Sequence, residues 1–186
     1  FTLKGRLSAR QKMSFKDMKS PKSYMNYGDS RNGDYKNWDD QQLNFDADIL
    51  ATYDKTFSDQ LALTINAGSA TFKRTSRSQY QSTDGLIQPY VYSLRNTQGP
   101  VKADINFSDK VIRSVYGSVN VSLFKSTFLN FSGRNDWSST LSLENQSFFY
   151  TSLSISTILS DYIRLPQGID FIKLYSSWAS VSSDLD

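Results

Sequence analysis

Two carboxylates, Asp46 and Asp48, are spaced as an acid–base pair could be. On a β-strand, residues two apart share a face and lie about 7 Å apart, which is within the separation used by inverting glycosidases. The chain contains no Cys and no His, which excludes thiol nucleophiles, imidazole bases, disulfides and the usual zinc ligands. Acidic residues are also ordinary on a strand face that meets water. We therefore interpret the pair as part of a solvated face, and we predict no enzyme, no metal site and no cofactor.

A second group of residues, aromatic rings next to carboxylates, is suited to ligand binding. Ring faces stack on the C–H groups of sugars, and carboxylates accept hydrogen bonds from hydroxyl groups. The substrate-binding candidates are Trp38, Asp39, Tyr90 and Tyr92, accompanied by Tyr35, Asp40 and Tyr80. They lie in two polar stretches, 13–41 and 73–108, that we predict to be long loops. The alternative is that these residues only pack the loops, since Tyr is frequent in loops of this kind.

The composition favours strands over helices. Aromatic residues make up 14% of the chain, with 11 Tyr and 12 Phe, and such side chains suit a pleated surface. No apolar run approaches the roughly 20 residues that a membrane helix needs, which excludes a helical membrane protein. The net charge of +3 arises from 21 basic residues dispersed among 18 acidic ones, so we expect no nucleic-acid partner.

Seven segments alternate apolar and polar residues with the period of two that a β-strand requires. In the clearest of them, 43–53, Leu50 alone interrupts the polar side. The predicted strands are residues 1–10, 43–53, 61–72, 111–124, 128–134, 149–159 and 171–182. The connections between them alternate in length: long, short, long, short, and then intermediate from Asn135 onward.

The alternation of loop lengths separates two all-β architectures. Transmembrane β-barrels have long outer loops, short turns at the other end, and strands of about 10 residues that are apolar outside and polar inside. A soluble sandwich buries its apolar face against a second sheet, and its strands average about 5 to 6 residues. We predict an arc of about seven antiparallel strands from a large transmembrane β-barrel. The alternative is a secreted β-sandwich that binds carbohydrate.

Four segments resemble the late barrel strands of the SusC/RagA family of TonB-dependent outer-membrane transporters. They are Val115-Tyr-Gly-Ser118, Gly133-Arg-Asn-Asp-Trp-Ser-Ser139, the stretch 150–156, and Lys173-Leu-Tyr-Ser-Ser-Trp178. They occur in the order and approximate spacing found in that family; before residue 110 the resemblance rests on strand and loop rhythm. It implies a plugged barrel of about 22 strands that crosses the bacterial outer membrane many times. It also implies import of oligosaccharides or peptides with a SusD-like surface lipoprotein, powered through the TonB complex.

Residues 1–186 are expected to be part of such a barrel, without a plug domain or a TonB box. Because the chain starts at Phe1 with no Met or signal peptide, we expect it to be a piece of a longer protein. The motif Gly133, Arg134, Asn135, Asp136 and Trp137 is expected to be structural. Arg134 and Asp136 would tie down the following loop, and Trp137 would lie in the aromatic girdle at the lipid boundary.

Overall fold

The computed structural model describes residues 1–22, 32–142 and 144–181, and its strands form one sheet. The strands are β1 (Thr2–Ser20), β2 (Asp34–Ser58), β3 (Leu61–Ser82), β4 (Lys102–Leu123), β5 (Thr127–Ser138), β6 (Ser147–Ile158) and β7 (Lys173–Ala179), with one short 3-10 helix at Leu159–Asp161. Each strand lies beside the next along the chain, in antiparallel pairs. In the described part of the chain, β1 and β7 are the two edges. The predicted all-β class is confirmed, and an open sheet is consistent with the predicted arc of a barrel.

The chain divides into two compact units. The first unit comprises Phe1–Ser8, Asp46–Phe72 and Lys110–Asp186, and it contains the pairings of β4 with β5, β5 with β6 and β6 with β7. The second unit comprises Ala9–Phe45 and Lys73–Asp109, and it contains the long connections that precede β2 and β4. No helix in the described ranges is long and apolar enough to cross a membrane.

The two faces of the first unit differ in chemistry. On the polar face, side chains bond from strand to strand: the Thr52 hydroxyl donates to Asn66 Oδ1 at 2.8 Å, and Asn66 Nδ2 donates to Ser118 Oγ at 3.1 Å. Side chains alternate between faces, so the intervening residues form an apolar face. Seven of its large members are between 38% and 66% exposed: Ile49, Ile65, Val115, Phe131, Phe149, Leu153 and Ile155. Among the described residues, the one buried hydrophobic side chain is Leu86, which belongs to the second unit.

The strands are longer than the sequence pattern predicts. β1 to β4 contain 19, 25, 22 and 22 residues. Residues 13–20, 34–41, 73–82 and 102–108 are therefore strand, and their assignment to long loops is wrong. Segments 34–41 and 73–82 carry polar residues on both faces and so lack the alternation that marks a half-buried strand, whereas 102–108 does alternate and is a missed part of β4. Backbone pairing persists in the polar segments because it does not depend on side-chain polarity.

The predicted alternation of connection lengths is confirmed. A turn of Asp59 and Gln60 joins β2 to β3, and residues 124–126 join β4 to β5, whereas 21–33 and 83–101 are long. Residues 23–31 of the first long connection lie outside the described residues. β5 extends to Ser138, so the loop expected from Asn135 begins later than predicted. β7 ends at Ala179, and Ser182 of the predicted last strand lies outside the described residues.

Polar contacts hold the 83–101 connection in a compact form. The Asn96 side-chain amide donates to the backbone oxygens of Gln88 at 2.8 Å and Val91 at 2.7 Å, while its oxygen accepts from the Gln88 backbone N–H at 3.0 Å. Gln98 Nε2 donates to the backbone oxygen of the buried Leu86 at 2.7 Å. The side chains of Asn96 and Gln98 therefore help to close a loop whose ends are already anchored by strands.

Asn96→Ala is expected to loosen residues 86–98 while leaving the strands intact, because it removes three hydrogen bonds within the connection. An intramolecular hydrogen bond contributes about 0.5–1.5 kcal/mol. Amide hydrogen exchange within the connection measures the effect. Arg95→Ala is the matched control, since the Arg95 side chain is exposed. Equal protection in the two variants would show that the loop is held by other contacts.

Candidate functional site

Arg134 and Asp136 form the centre of a charged cluster on the polar face of the first unit. Arg134 Nε donates to Asp136 Oδ1 at 2.7 Å, and Arg134 Nη2 donates to Ser114 Oγ at 2.9 Å. The Tyr150 hydroxyl donates to the second oxygen of Asp136. These bonds join β4, β5 and β6. Arg134 and Asp136 both lie within β5, whereas the sequence predicts that the strand ends at Arg134 and that Asp136 is in the following loop. Their contacts with Ser114 and Tyr150 are therefore between strands.

The Tyr116 ring extends the cluster toward β3. The Arg134 guanidinium lies over this ring, 5.7 Å from its centroid. A Cβ at Gly68 would approach the Tyr116 ring to 2.5 Å and the backbone oxygen of Ile49 to 2.8 Å. Gly68 is therefore the residue type that allows the ring to lie close over β3.

A cavity of about 490 Å³ opens on this polar face, beside the charged cluster. Asp46 and Asp48 line it, and Arg6 Nη2 lies 2.9 Å from Asp48 Oδ2. Because Asp48 is already paired with a cation, the two carboxylates are not a free acid–base pair, in keeping with our interpretation of a solvated face. The cavity offers hydrogen-bonding groups of both charge signs. Among the described residues, no three Asp, Glu, His or Cys side chains are grouped so that they could hold a metal ion.

Gly133, Asn135 and Trp137 alternate with Arg134 and Asp136 along β5, so they lie on the apolar face. Gly133 is opposite Gly117 in the register of β4 and β5, and Trp137 is opposite Arg113. The ring of Phe149 lies 3.6 Å from where a Gly133 Cβ would be. Trp137 is 39% exposed and, with Arg113, lines a groove of about 320 Å³. The motif thus supplies alternate residues to two chemically different surfaces.

Aromatic residues meet in the second unit, on strands where the sequence analysis predicts loops. Trp38 of β2 and Tyr80 of β3 have ring centroids 5.3 Å apart, with an interplanar angle of 42°. Lys16 of β1 places its ammonium 5.0 Å from the centroid of the Trp38 ring. The loop positions predicted for Trp38 and Tyr80 are wrong, but the structure brings the two residues together.

The other substrate-binding candidates are placed elsewhere. Asp39 follows Trp38 in β2 and so lies on the opposite face, where it accepts a hydrogen bond from Gln41 Nε2 at 3.5 Å. Tyr90 and Tyr92 belong to the 83–101 connection, as predicted; Tyr90 is 64% exposed and has a φ of 68°. The structure therefore does not join the four candidates, Trp38, Asp39, Tyr90 and Tyr92, into one site.

Basic residues of β1 are functional candidates that the sequence analysis missed. The sequence analysis assigns Lys16 to a loop and so does not predict its position next to Trp38. The sequence does indicate that the first strand continues to Lys16, because residues 4, 6, 10, 12 and 16 are all basic and keep the period of two. Lys12 lines a polar cavity of about 290 Å³ with Ser14, Asp40 and Gln42.

The chain forms an open antiparallel sheet, and one face of its first unit is apolar and exposed. No protein-family model matches the chain, and no curated protein matches it. Solved structures do match. A chain in the structure of the RagAB peptide transporter has a TM-score of 0.83 at 16% identity, over 95% of this chain and 20% of that chain.

Two further structures give the same result. Chains of the RagAB peptide importer in the "closed-closed" and "open-open" states have TM-scores of 0.81 and 0.82, at 16% and 17% identity. Both matches cover 95% of this chain and 20% of the other. At this identity the similarity shows a shared fold, and the chain spans one fifth of the length of the proteins that it matches.

Proposed function

We propose that this chain is part of the barrel wall of a TonB-dependent nutrient importer in the bacterial outer membrane. The observation that carries the proposal is the apolar face of the first unit, seven of whose large side chains are 38% to 66% exposed. Removing apolar surface from water contributes about 25 cal/mol per Å². Exposure of this apolar face to water is unfavourable, and the hydrocarbon of a bilayer would remove it from water.

The height of the apolar stretch on β2 agrees with a membrane span. Leu43, Phe45, Ile49 and Tyr53 occupy one face, and the ten residue steps from Leu43 to Tyr53 extend about 34 Å along the strand. At a tilt of about 45° this corresponds to about 24 Å, against an apolar band about 25 Å tall in outer-membrane barrels. Gln41 and Asp39 precede the stretch on the same face, so the apolar band ends at Leu43.

The alternative, a secreted β-sandwich, requires a second sheet to cover the apolar face. In the described part of the chain all seven strands belong to one sheet. The fold that the chain shares with chains of the RagAB peptide importer supports transport in place of carbohydrate binding by a secreted module.

In this proposal the importer takes up oligosaccharides or peptides together with a SusD-like surface lipoprotein. The TonB complex would act through parts of the protein other than this section. Trp38, Tyr90 and Tyr92 are proposed ligand contacts, and Asp39 is proposed to contact ligand or lipoprotein from the other face of β2. Trp137 is proposed to lie at the lipid boundary, because it is partly exposed at the end of β5 on the apolar face.

Cysteine labelling tests the proposed topology, and the chain itself contributes no Cys to the background. With Arg95→Cys in the long connection after β3, a membrane-impermeant maleimide is expected to label intact cells. With Asp59→Cys in the two-residue turn before β3, labelling is expected after permeabilisation only. Labelling of Asp59→Cys on unbroken cells would invert the topology. Recovery of the correctly folded protein outside the outer membrane would contradict the proposal.

A further inference from the structure

The second unit presents a row of cations on one face of β1. Arg10, Lys12 and Lys16 are separated by even numbers of residues, so they share a face of the strand. Lys16 places that face on the same side as Trp38 and Tyr80. All three cations are exposed, and none forms an ion pair with a residue in the described ranges. We call Arg10, Lys12 and Lys16 the basic row.

The neighbours of the basic row do little to neutralise it. Since Lys16 contacts Trp38 and the strands are antiparallel, Ser14 comes near Asp40 and Lys12 near Gln42; these four residues line the 290 Å³ cavity. Asp40 accepts a hydrogen bond from Ser78 Oγ at 2.5 Å. Among the residues that line the cavity, Asp40 is the one carboxylate, against the three cations of the basic row.

The spacing of the basic row matches an extended peptide. By strand rise, Arg10 and Lys12 are about 7 Å apart and Lys12 and Lys16 about 14 Å apart. Side chains on one face of an extended peptide also recur every 7 Å or so, which allows its acidic residues to meet each cation. One face of the Trp38 ring is occupied by Lys16, and the ring is tilted by 42° against Tyr80. The two rings therefore do not form one flat platform on which a sugar could stack.

We propose that the basic row and the Trp38–Tyr80 pair form a subsite for an extended acidic peptide. The carboxylates of the peptide pair with Arg10, Lys12 and Lys16, and an apolar side chain of the peptide lies against the two rings. The subsite rests on the proposed function, because an importer is what brings a peptide to this face. It narrows the substrate from oligosaccharides or peptides to peptides that carry negative charge.

The test uses the full-length protein purified from membranes in detergent, with a fluorescent octapeptide of alternating Asp and Ala as the probe. The same peptide with Asn in place of Asp is the uncharged comparison. At low salt the Asp peptide is expected to bind about tenfold more tightly than the Asn peptide, and the double substitution Arg10→Gln/Lys12→Gln, which leaves Lys16, is expected to remove most of that difference. The affinity for the Asn peptide should not change.

The double variant Lys73→Gln/Arg113→Gln is the matched control, because it removes two cations from β3 and β4 outside the basic row. It is expected to bind the Asp peptide like the unmodified protein. Equal binding of the Asp and Asn peptides by the unmodified protein would overturn the subsite. So would equal losses in the two double variants, since the effect would then reflect net charge alone.

Tighter binding of an oligogalacturonate than of the Asp peptide would overturn the peptide assignment in favour of an anionic glycan. The proposed function fails by a different measurement, the membrane localisation and cysteine labelling described above, which involves no ligand. A protein that labels as expected but does not discriminate the two peptides would thus retain the proposed function and lose the subsite.

Discussion

Ile49→Arg is expected to remove most of the protein from the outer membrane, because Ile49 lies on the apolar face near the middle of the apolar stretch of β2. Ile49 is 50% exposed, and in the proposed function lipid covers it. An Arg on the lipid face near the bilayer midplane costs about 2–4 kcal/mol. The measurement is the fraction of protein recovered in the outer membrane, with the urea midpoint of the fraction that folds into lipid vesicles.

Leu50→Arg is the control for Ile49→Arg. It makes nearly the same chemical change one residue further along β2, on the polar face, where the side chain is half-buried and an Arg stays hydrated. Asp48 is a poorer control because its carboxylate pairs with Arg6 at 2.9 Å. Equal assembly of Ile49→Arg and Leu50→Arg would mean that the apolar face does not meet lipid.

Gly68→Ala is expected to destabilise the folded protein by about 1–3 kcal/mol, as overpacking of a filled site does. The new Cβ would lie 2.5 Å from the Tyr116 ring and 2.8 Å from the backbone oxygen of Ile49. The ring can swing away, at the expense of its contact with Arg134, but the carbonyl belongs to a paired strand. Denaturant unfolding of the assembled protein gives the change in free energy.

A double substitution separates the two contacts of Gly68. Tyr116→Ser in the Gly68→Ala background is expected to recover part of the lost unfolding free energy, because it removes the ring and leaves the Ile49 carbonyl. The coupling energy from a double-mutant cycle of Gly68→Ala and Tyr116→Ser measures the part of the destabilisation that is due to the ring. Gly5→Ala is the reference, since nothing lies within 4 Å of a Cβ at Gly5. Equal stability of Gly68→Ala and Gly5→Ala would show that the strands adjust without strain.

The sequence predicts the strands where their two faces meet different environments. Residues 43–53 alternate cleanly because one face carries apolar side chains and the other is polar, so the pattern and the strand coincide there. At 34–41 and 73–82 both faces are polar, and the amino-acid pattern resembles that of a loop. What defines those residues as strand is the backbone of a neighbouring strand, which no local pattern reports.

The candidate site also combines residues that the local sequence indicates with contacts that only strand pairing creates. The motif identified Arg134 and Asp136 by type and spacing, but their bonds to Ser114 and Tyr150 depend on the register of three strands. The contact of Tyr116 with Gly68 likewise joins residues 48 positions apart in the chain, across β3 and β4. A short stretch of sequence shows which residue types form the site, whereas the register of strands far apart in the chain determines which residues they bond.

The order of strands in the sheet, which follows their order in the chain, has a consequence for how the protein folds. Each strand pairs with its sequence neighbours, so every pairing is a hairpin; next to the turn between β4 and β5, Leu123 pairs with Thr127. Loop closure of this kind has a small entropic cost, and such topologies form faster than those that join distant segments. The sheet can therefore grow by successive hairpins, each strand pairing with the one that precedes it in the chain.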